Sequence, residues 1–246
     1  MIQPPEATDF LRSSFVWLAL LLAVGFVWIG HIAGRRSGVP RHANGRLTGI
    51  AMTATSAWLA ATWAAASSGV LAQFDRRPPP FALLFLAVLA VSASVAWSPL
   101  GLRLLRGLPL WALVATQVFR LPLELVMHEA AVEGVMPVQM SYSGRNFDIL
   151  TGLTAIPVAV LIATGIGGRR LALAWNVLGT LTLANILGIA LVSTPTFAMF
   201  GPERLNTWVA YPPFVWLPAV MVVSALIGHM VLWRKLLVTP TTTPRP

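Results

Sequence analysis

The sequence predicts an all-α polytopic membrane protein, a seven-helix transmembrane bundle with its N-terminus out and its C-terminus in. Three observations carry that reading: composition, the spacing of apolar stretches and the distribution of arginine. Of 246 residues, 57% are hydrophobic and 10% charged, and there is no cysteine. A soluble domain carries roughly 25% charged residues. So little charge cannot cover a water-facing globule, which excludes an ordinary cytosolic enzyme, a disordered chain and a disulfide-stapled secreted module.

A helix crosses the hydrocarbon core in about 20 mostly apolar residues. Seven stretches qualify, at residues 15–33, 48–74, 81–99, 108–131, 147–166, 171–193 and 213–233. Runs such as Leu18 to Val24 show no polar alternation, so they read as helices and not as barrel strands. The first stretch is preceded by Glu6, Asp9 and Arg12 and followed by Arg35 and Arg36, which marks a retained helix and not a cleaved signal peptide. The short loops between spans cannot bury a core of their own. One transmembrane domain, residues 1–238, is therefore expected, with residues 239–246 (TPTTTPRP) as a disordered cytoplasmic tail.

Basic residues set the orientation. Eleven (Arg35, Arg36, Arg41, Arg46, Arg103, Arg106, Arg169, Arg170, Arg234, Lys235 and Arg245) fall on one side, and five (Arg12, Arg76, Arg77, Arg145 and Arg204) on the other. The richer side reads as cytoplasmic. The net charge of +9 is thus a topology signal. Nucleic-acid binding would need a basic patch outside the lipid, and these arginines are scattered through short loops. The Arg169–Arg170 and Arg234–Lys235 pairs suit contact with anionic lipid headgroups. No acidic residue lies on the richer side; Glu6, Asp9, Asp75, Glu129, Glu133, Asp148 and Glu203 belong to the other side or its boundary.

The fourth span, LPLWALVATQVFRLPLELVMHEAA, carries Gln117, Arg120, Pro122, Glu124 and His128. Ionisable groups at membrane depth cost about 2.5–3.5 kcal/mol each on insertion scales and are functional candidates by default. At about 100° per residue Arg120, Glu124 and His128 share an arc of roughly 80°, with Gln117 on the same face. The Arg120–Glu124 spacing permits an i, i+4 ion pair. The rise of about 12 Å from Arg120 to His128 is too long for one metal site, and no metal is expected. Pro122 removes a helix hydrogen bond and frees the carbonyl of Val118, which suits a kink beside a cavity.

In the loop that follows, Gly144 permits a turn, Asn146 or Ser143 can cap the fifth span, and Asp148 falls in its first turn. Arg145 beside the helix start offers an anion site. Phe119-Arg-Leu-Pro-Leu-Glu124 followed by Gly144-Arg-Asn-Phe-Asp-Ile-Leu-Thr-Gly152 resembles segments of a family of uncharacterised bacterial integral membrane proteins. The resemblance implies no activity.

Other features narrow the field. His31 and His229 lie at the inner ends of the first and last spans, where two imidazoles can serve as axial haem ligands. A retinal protein needs a lysine inside the last span, and the only lysine, Lys235, lies at its flank. HExxH, GxSxG and P-loop motifs are absent from the sequence. Asn176 and Asn185 fall on opposite faces of the sixth span, so at least one reads as interhelical glue.

The expected function is binding or transport of a small polar or anionic ligand, or a lipid headgroup, in an outward-facing cavity. Gln117, Arg120, Glu124 and His128 line it, and Arg145, Asn146 and Asp148 gate it. The rivals are a membrane enzyme acting on a lipid-linked substrate through Glu124 or His128, a haem or redox carrier, and an assembly subunit. Membrane lipid and a homo- or hetero-oligomeric contact are the expected partners, in a bacterial-type plasma membrane.

Overall fold

A computed structural model describes residues 4–238; the tail expected at 239–246 lies outside the described residues. Within them the chain is all-helical, with no strand. Helix α1 runs Asp9–Arg36, α2 Arg41–Ser67, α3 Pro80–Trp97, α4 Pro99–Gly107, α5 Leu110–Ala115, α6 Arg120–Val132, α7 Ile149–Ala163, α8 Gly168–Val192 and α9 Val223–Leu237.

Five helices are long and apolar enough to cross a membrane: α1, α3, the continuous Leu110–Val132 segment that joins α5 to α6, α8, and the Leu217–Leu237 segment that ends in α9. The two remaining expected spans are also helical but differ in kind. The expected 48–74 stretch starts earlier, at Arg41, and stops at Ser67; its apolar part is dominated by alanine, threonine, serine and tryptophan, which keeps its hydropathy below that of the five. The expected 147–166 stretch shortens to the 15 residues of α7, with Pro157 inside it.

Helix α4 is not expected from the sequence. Residues 99–107 read as a loop, yet Ser98 caps a helix there by accepting hydrogen bonds from the amides of Leu100 (3.1 Å) and Gly101 (3.4 Å). Pro99 at its first position is pre-set for helix. α4 lies against α1 because Gly107 has no side chain: a Cβ there would meet the backbone of Ala33. Arg103 on α4 is buried and donates to Asn44 Oδ1 on α2 at 3.1 Å. Lys235 donates to the carbonyls of Leu105 (2.6 Å) and Leu108 (2.7 Å), and Arg234 donates to the carbonyl of Ala96. These two basic residues thus cap the C-terminal ends of α3 and α4, where free carbonyls concentrate negative charge.

At the opposite end Thr8 caps α1 by accepting from Leu11, and its own amide and hydroxyl donate to Glu133 at 3.0 and 2.6 Å. That ties the start of α1 to the end of α6. Two apolar clusters fill the interior. One gathers Phe15, Trp208 and Phe214 near the start of α1; the other gathers Leu104, Trp175 and Val231 near its finish. On α8, Trp175 belongs to one cluster and Leu183 to the other, with Asn176, Gly179 and Thr182 between them. The buried polar groups therefore form a layer between two apolar masses.

Two irregular stretches flank this layer. Residues Thr116–Phe119 tighten to a 3-10 turn directly before Arg120. This turn contains Val118, whose carbonyl the missing amide of Pro122 would have bonded. Residues Leu217–Val222, with Pro218, wind as a π-helix, and the indole of Trp58 donates to the carbonyl of Ala219 at 2.7 Å. Such wide turns recur at functional sites.

The Gly107 contact gives a test of this packing. Gly107→Ile forces α4 off α1, and overpacking of this kind costs about 1–3 kcal/mol. Its thermal midpoint in detergent is expected to fall clearly below wild type. Gly45→Ala, where an added Cβ meets nothing, is expected to hold or raise it. Equal midpoints for Gly107→Ile and wild type would contradict the close approach.

Candidate functional site

Arg120 is 1% exposed and belongs to the first turn of α6. A guanidinium cannot shed its proton cheaply, so burial obliges it to find acceptors. The partner expected from spacing is Glu124, one turn on. The structure turns it elsewhere: Nε donates to Asp148 Oδ2 at 2.7 Å, and Nη2 pairs with Oδ1 of the same carboxylate. This fork is the bidentate geometry that makes arginine–carboxylate pairs strong. The i, i+4 pairing fails because Asp148, at the entry to α7, presents both oxygens in the guanidinium plane.

The other edge of the guanidinium meets α8 and α9. Nη1 donates to His229 Nε2 at 2.7 Å and reaches the carbonyl of Gly179 at 3.5 Å. Because a guanidinium only donates, Nε2 must accept. The ring is then neutral with its hydrogen on Nδ1, which donates to Asn176 Oδ1 at 2.7 Å. The Trp175 ring stacks on the imidazole at 5.8 Å between centroids. Gly179 lets the ring in, since a Cβ there would collide with it. Beside this, the hydroxyls of Thr151 and Thr182 bond at 2.7 Å and join α7 to α8.

Glu124, also 1% exposed, belongs to a separate network. Its Oε2 accepts from Asn146 Nδ2 at 2.7 Å. Asn146 is the hub of the turn: the same amide donates to the carbonyl of Met140 at 3.0 Å, and its Oδ1 accepts from the amide of Asp148 at 2.9 Å. Asn146 therefore braces the turn ahead of α7 and does not cap it: the N-cap is Asp148, which takes no side-chain cap bond, and its carboxylate serves Arg120. No hydrogen bond reaches Glu124 Oε1 from any described residue.

A cavity of about 270 Å³ adjoins these groups. Arg120, Glu124 and Asp148 form one wall. The rest is mostly apolar, with Phe81 and Phe85 of α3, Leu187 and Leu191 of α8, and Leu217 and Met221 of the π-helical stretch, and with Thr194, Thr196 and Asn206 as its neutral polar members. Both α3 and α8 pack on α9, and the cavity is the wedge between them.

The remaining expected site residues lie outside this cavity. Gln117 is buried with its amide against Gly228 and borders a second void of about 100 Å³ between α1 and α9. His128 points to the loop, where Nδ1 meets Ser141 Oγ at 3.0 Å and the ring stacks on Tyr142 at 4.5 Å. The ladder from Arg120 to His128 is therefore interrupted, with each member turned to a different partner. Arg145 is exposed, sits 5.2 Å from the centre of the Phe200 ring, and its carbonyl accepts from Asn185 at 2.8 Å. It stands apart from the Asp148 carboxylate that it is expected to flank as a gate. His31 bonds Thr48 at 3.0 Å, whereas His229 is committed to Arg120 and Asn176, so the two histidines belong to separate networks. Among the described residues no group of three or more His, Cys, Asp or Glu side chains is placed to hold a metal ion.

Sequence reasoning missed His229, Asn176 and Gly179 as the partners of Arg120. A usable signal existed: a buried cation needs acceptors from other helices, and few polar residues interrupt the apolar runs of α8 and α9. The chain matches no protein-family model, no curated protein and no solved structure.

The two carboxylates should respond differently to neutralisation. Asp148→Ala strands a buried guanidinium, a loss of about 3–5 kcal/mol for one partner of a buried pair. Glu124→Gln keeps an acceptor for Asn146 and should shift the thermal midpoint little. A midpoint for Asp148→Ala close to that of Glu124→Gln would contradict the assigned pairing.

Proposed function

We propose that the chain is a multi-pass protein of a bacterial-type plasma membrane that binds, and carries across or within the bilayer, a small amphiphilic molecule. In this reading α2 and α7 complete seven crossings with the five long apolar helices, and the arginine bias puts the N-terminus outside. The cavity then opens toward the outer half of the membrane. Its contents are an apolar body between α3 and α8 and a polar end, such as a lipid headgroup, at Glu124.

One observation carries this reading: charged side chains line one wall of a cavity whose other walls are mostly apolar. Ligand sites combine mostly hydrophobic walls with a few placed polar groups in this way. Packing alone accounts for the Arg120–Asp148 pair, which holds α6 to α7, but not for a carboxylate that borders a cavity with one oxygen unbonded. An enzyme acting through both Glu124 and His128 needs them at one reacting atom, and they face different surroundings. The geometry therefore favours binding over catalysis.

Met127 and Met221 line the cavity and are 2% and 0% exposed, so a probe reaches them only from inside. An alkyl-diazirine amphiphile, photolysed with the protein in nanodiscs, is expected to label one or both. Ala190→Trp, at the cavity wall, is expected to cut that labelling at least several-fold while labelling of the exposed Leu86 persists. Unlabelled methionines in wild type would overturn the proposal.

A further inference from the structure

We infer that the cavity takes an amphiphilic cation, whose positive charge takes the place of a proton on Glu124. The inference rests on the binding function proposed above and specifies its ligand class. It reverses the sequence-based expectation of an anionic ligand held by Arg120.

The argument is a charge count within one cavity. Its wall holds one cation, Arg120, and two carboxyls, Asp148 and Glu124. Asp148 contacts Arg120 through both oxygens, so that pair is neutral as a unit. Arg120 has no charge left for an anion, and its Nη1 edge is occupied by His229 and Gly179. Glu124 is the unmatched group. It keeps one hydrogen bond, from the uncharged Asn146, and shares none with Arg120.

A bare carboxylate in an apolar cavity is costly, so it is neutral or paired. The protein supplies no second cation among the described residues at the cavity. On α6 the other titratable groups stay off the cavity: His128 turns to Ser141 and Glu129 is not part of the lining, while Glu133, just past the helix, bonds Thr8. From α7 the only charged group at the cavity is Asp148. From α9 the titratable group is His229, held neutral behind Arg120. The faces of α3, α8 and the π-helical stretch bring apolar side chains, and the segment after α8 brings the neutral Thr194, Thr196 and Asn206. A proton is the remaining neutraliser from within; a ligand cation is the one from outside.

The walls suit the second. Phe74, Phe81, Phe85 and Phe119 line the cavity, and aromatic rings attract cations the more strongly as desolvation increases. Met127, Met140 and Met221 add polarizable contact that adapts to ligand shape. The exchange balances: Glu124 carboxyl plus ligand cation gives the carboxylate–cation pair plus one proton released to solvent. Binding of the cation and binding of the proton therefore exclude each other, which is the coupling that an exchanger needs.

Benzyltrimethylammonium and phenylmethanesulfonate, similar in size and opposite in charge, test this on the full chain in nanodiscs. Equilibrium dialysis is expected to show saturable binding of the ammonium and at least tenfold weaker binding of the sulfonate. Ammonium affinity should weaken as pH falls. Calorimetry in two buffers of different ionisation enthalpy should report about one proton released per cation at a pH where Glu124 is protonated. Glu124→Gln, checked for an unchanged thermal midpoint, should lose at least tenfold in ammonium affinity. Proton release measured on wild type tests the same exchange without any variant. Sulfonate binding as tight as the ammonium, ammonium binding without proton release, unaltered affinity in Glu124→Gln, or no ammonium binding would each overturn the inference. If Met127 or Met221 is still photolabelled by the diazirine amphiphile, the binding function stands and only the ligand's charge is wrong.

Discussion

The bidentate contact between Arg120 and Asp148 is the constraint around which the polar layer is arranged. It fixes the first turn of α6 against the first turn of α7, and the geometry of the two backbones follows. Gly152 lies so close to α6 that an added Cβ would strike the backbone of Arg120 and Leu121. That approach brings the Asp148 carboxylate into the guanidinium plane. With one edge thus filled, the other edge selects His229 from α9 and the Gly179 carbonyl from α8. His229 in turn orients Asn176. Four helices are referenced to one cation, and each link is forced by the need to satisfy a buried donor.

The same pairing explains why Glu124 is left over. A single arginine satisfies one carboxylate well in fork geometry and two poorly. Asp148 wins through Asn146, whose side chain accepts from the Asp148 amide and whose amide donates to Glu124. One turn of loop therefore sets both carboxylates, committing the first to structure and leaving an oxygen of the second free. The division of labour within three charged residues lies in the backbone of residues 140–148, not in the spacing along α6.

Much of the fold is legible in the sequence, and the exceptions have physical reasons. The helical state of all seven stretches follows from apolar length, since lipid leaves the backbone no other partner. The bounds of α2 escape hydropathy because its polar first turns continue the helix beyond the apolar run. Helix α4 is hidden because nine residues with two arginines look like a loop until Ser98 and Pro99 are read as a cap and a first position. At the site, the burial of Arg120 and Glu124 is legible from their depth in the fourth span. Their partners are not, because helical periodicity reports neighbours on one helix, whereas the choice between Glu124 and Asp148 is settled by tertiary approach. The lone histidine of the last span looks interfacial in the sequence for the same reason.

The cavity itself bears on whether the polar layer is merely structural. Space left beside packed side chains forfeits their van der Waals contacts, so keeping it is unfavourable. A bundle selected only for packing would close such a gap by larger side chains at Ala190 or Ala225, both on its wall. Small residues there, a π-helical turn that widens the approach to α9 beside them, and a wedge between α3 and α8 all act in the same direction, toward keeping space next to Glu124. Under the binding function proposed above, the apolar part of the ligand would fill this space and the Glu124 carboxyl would discriminate among polar ends.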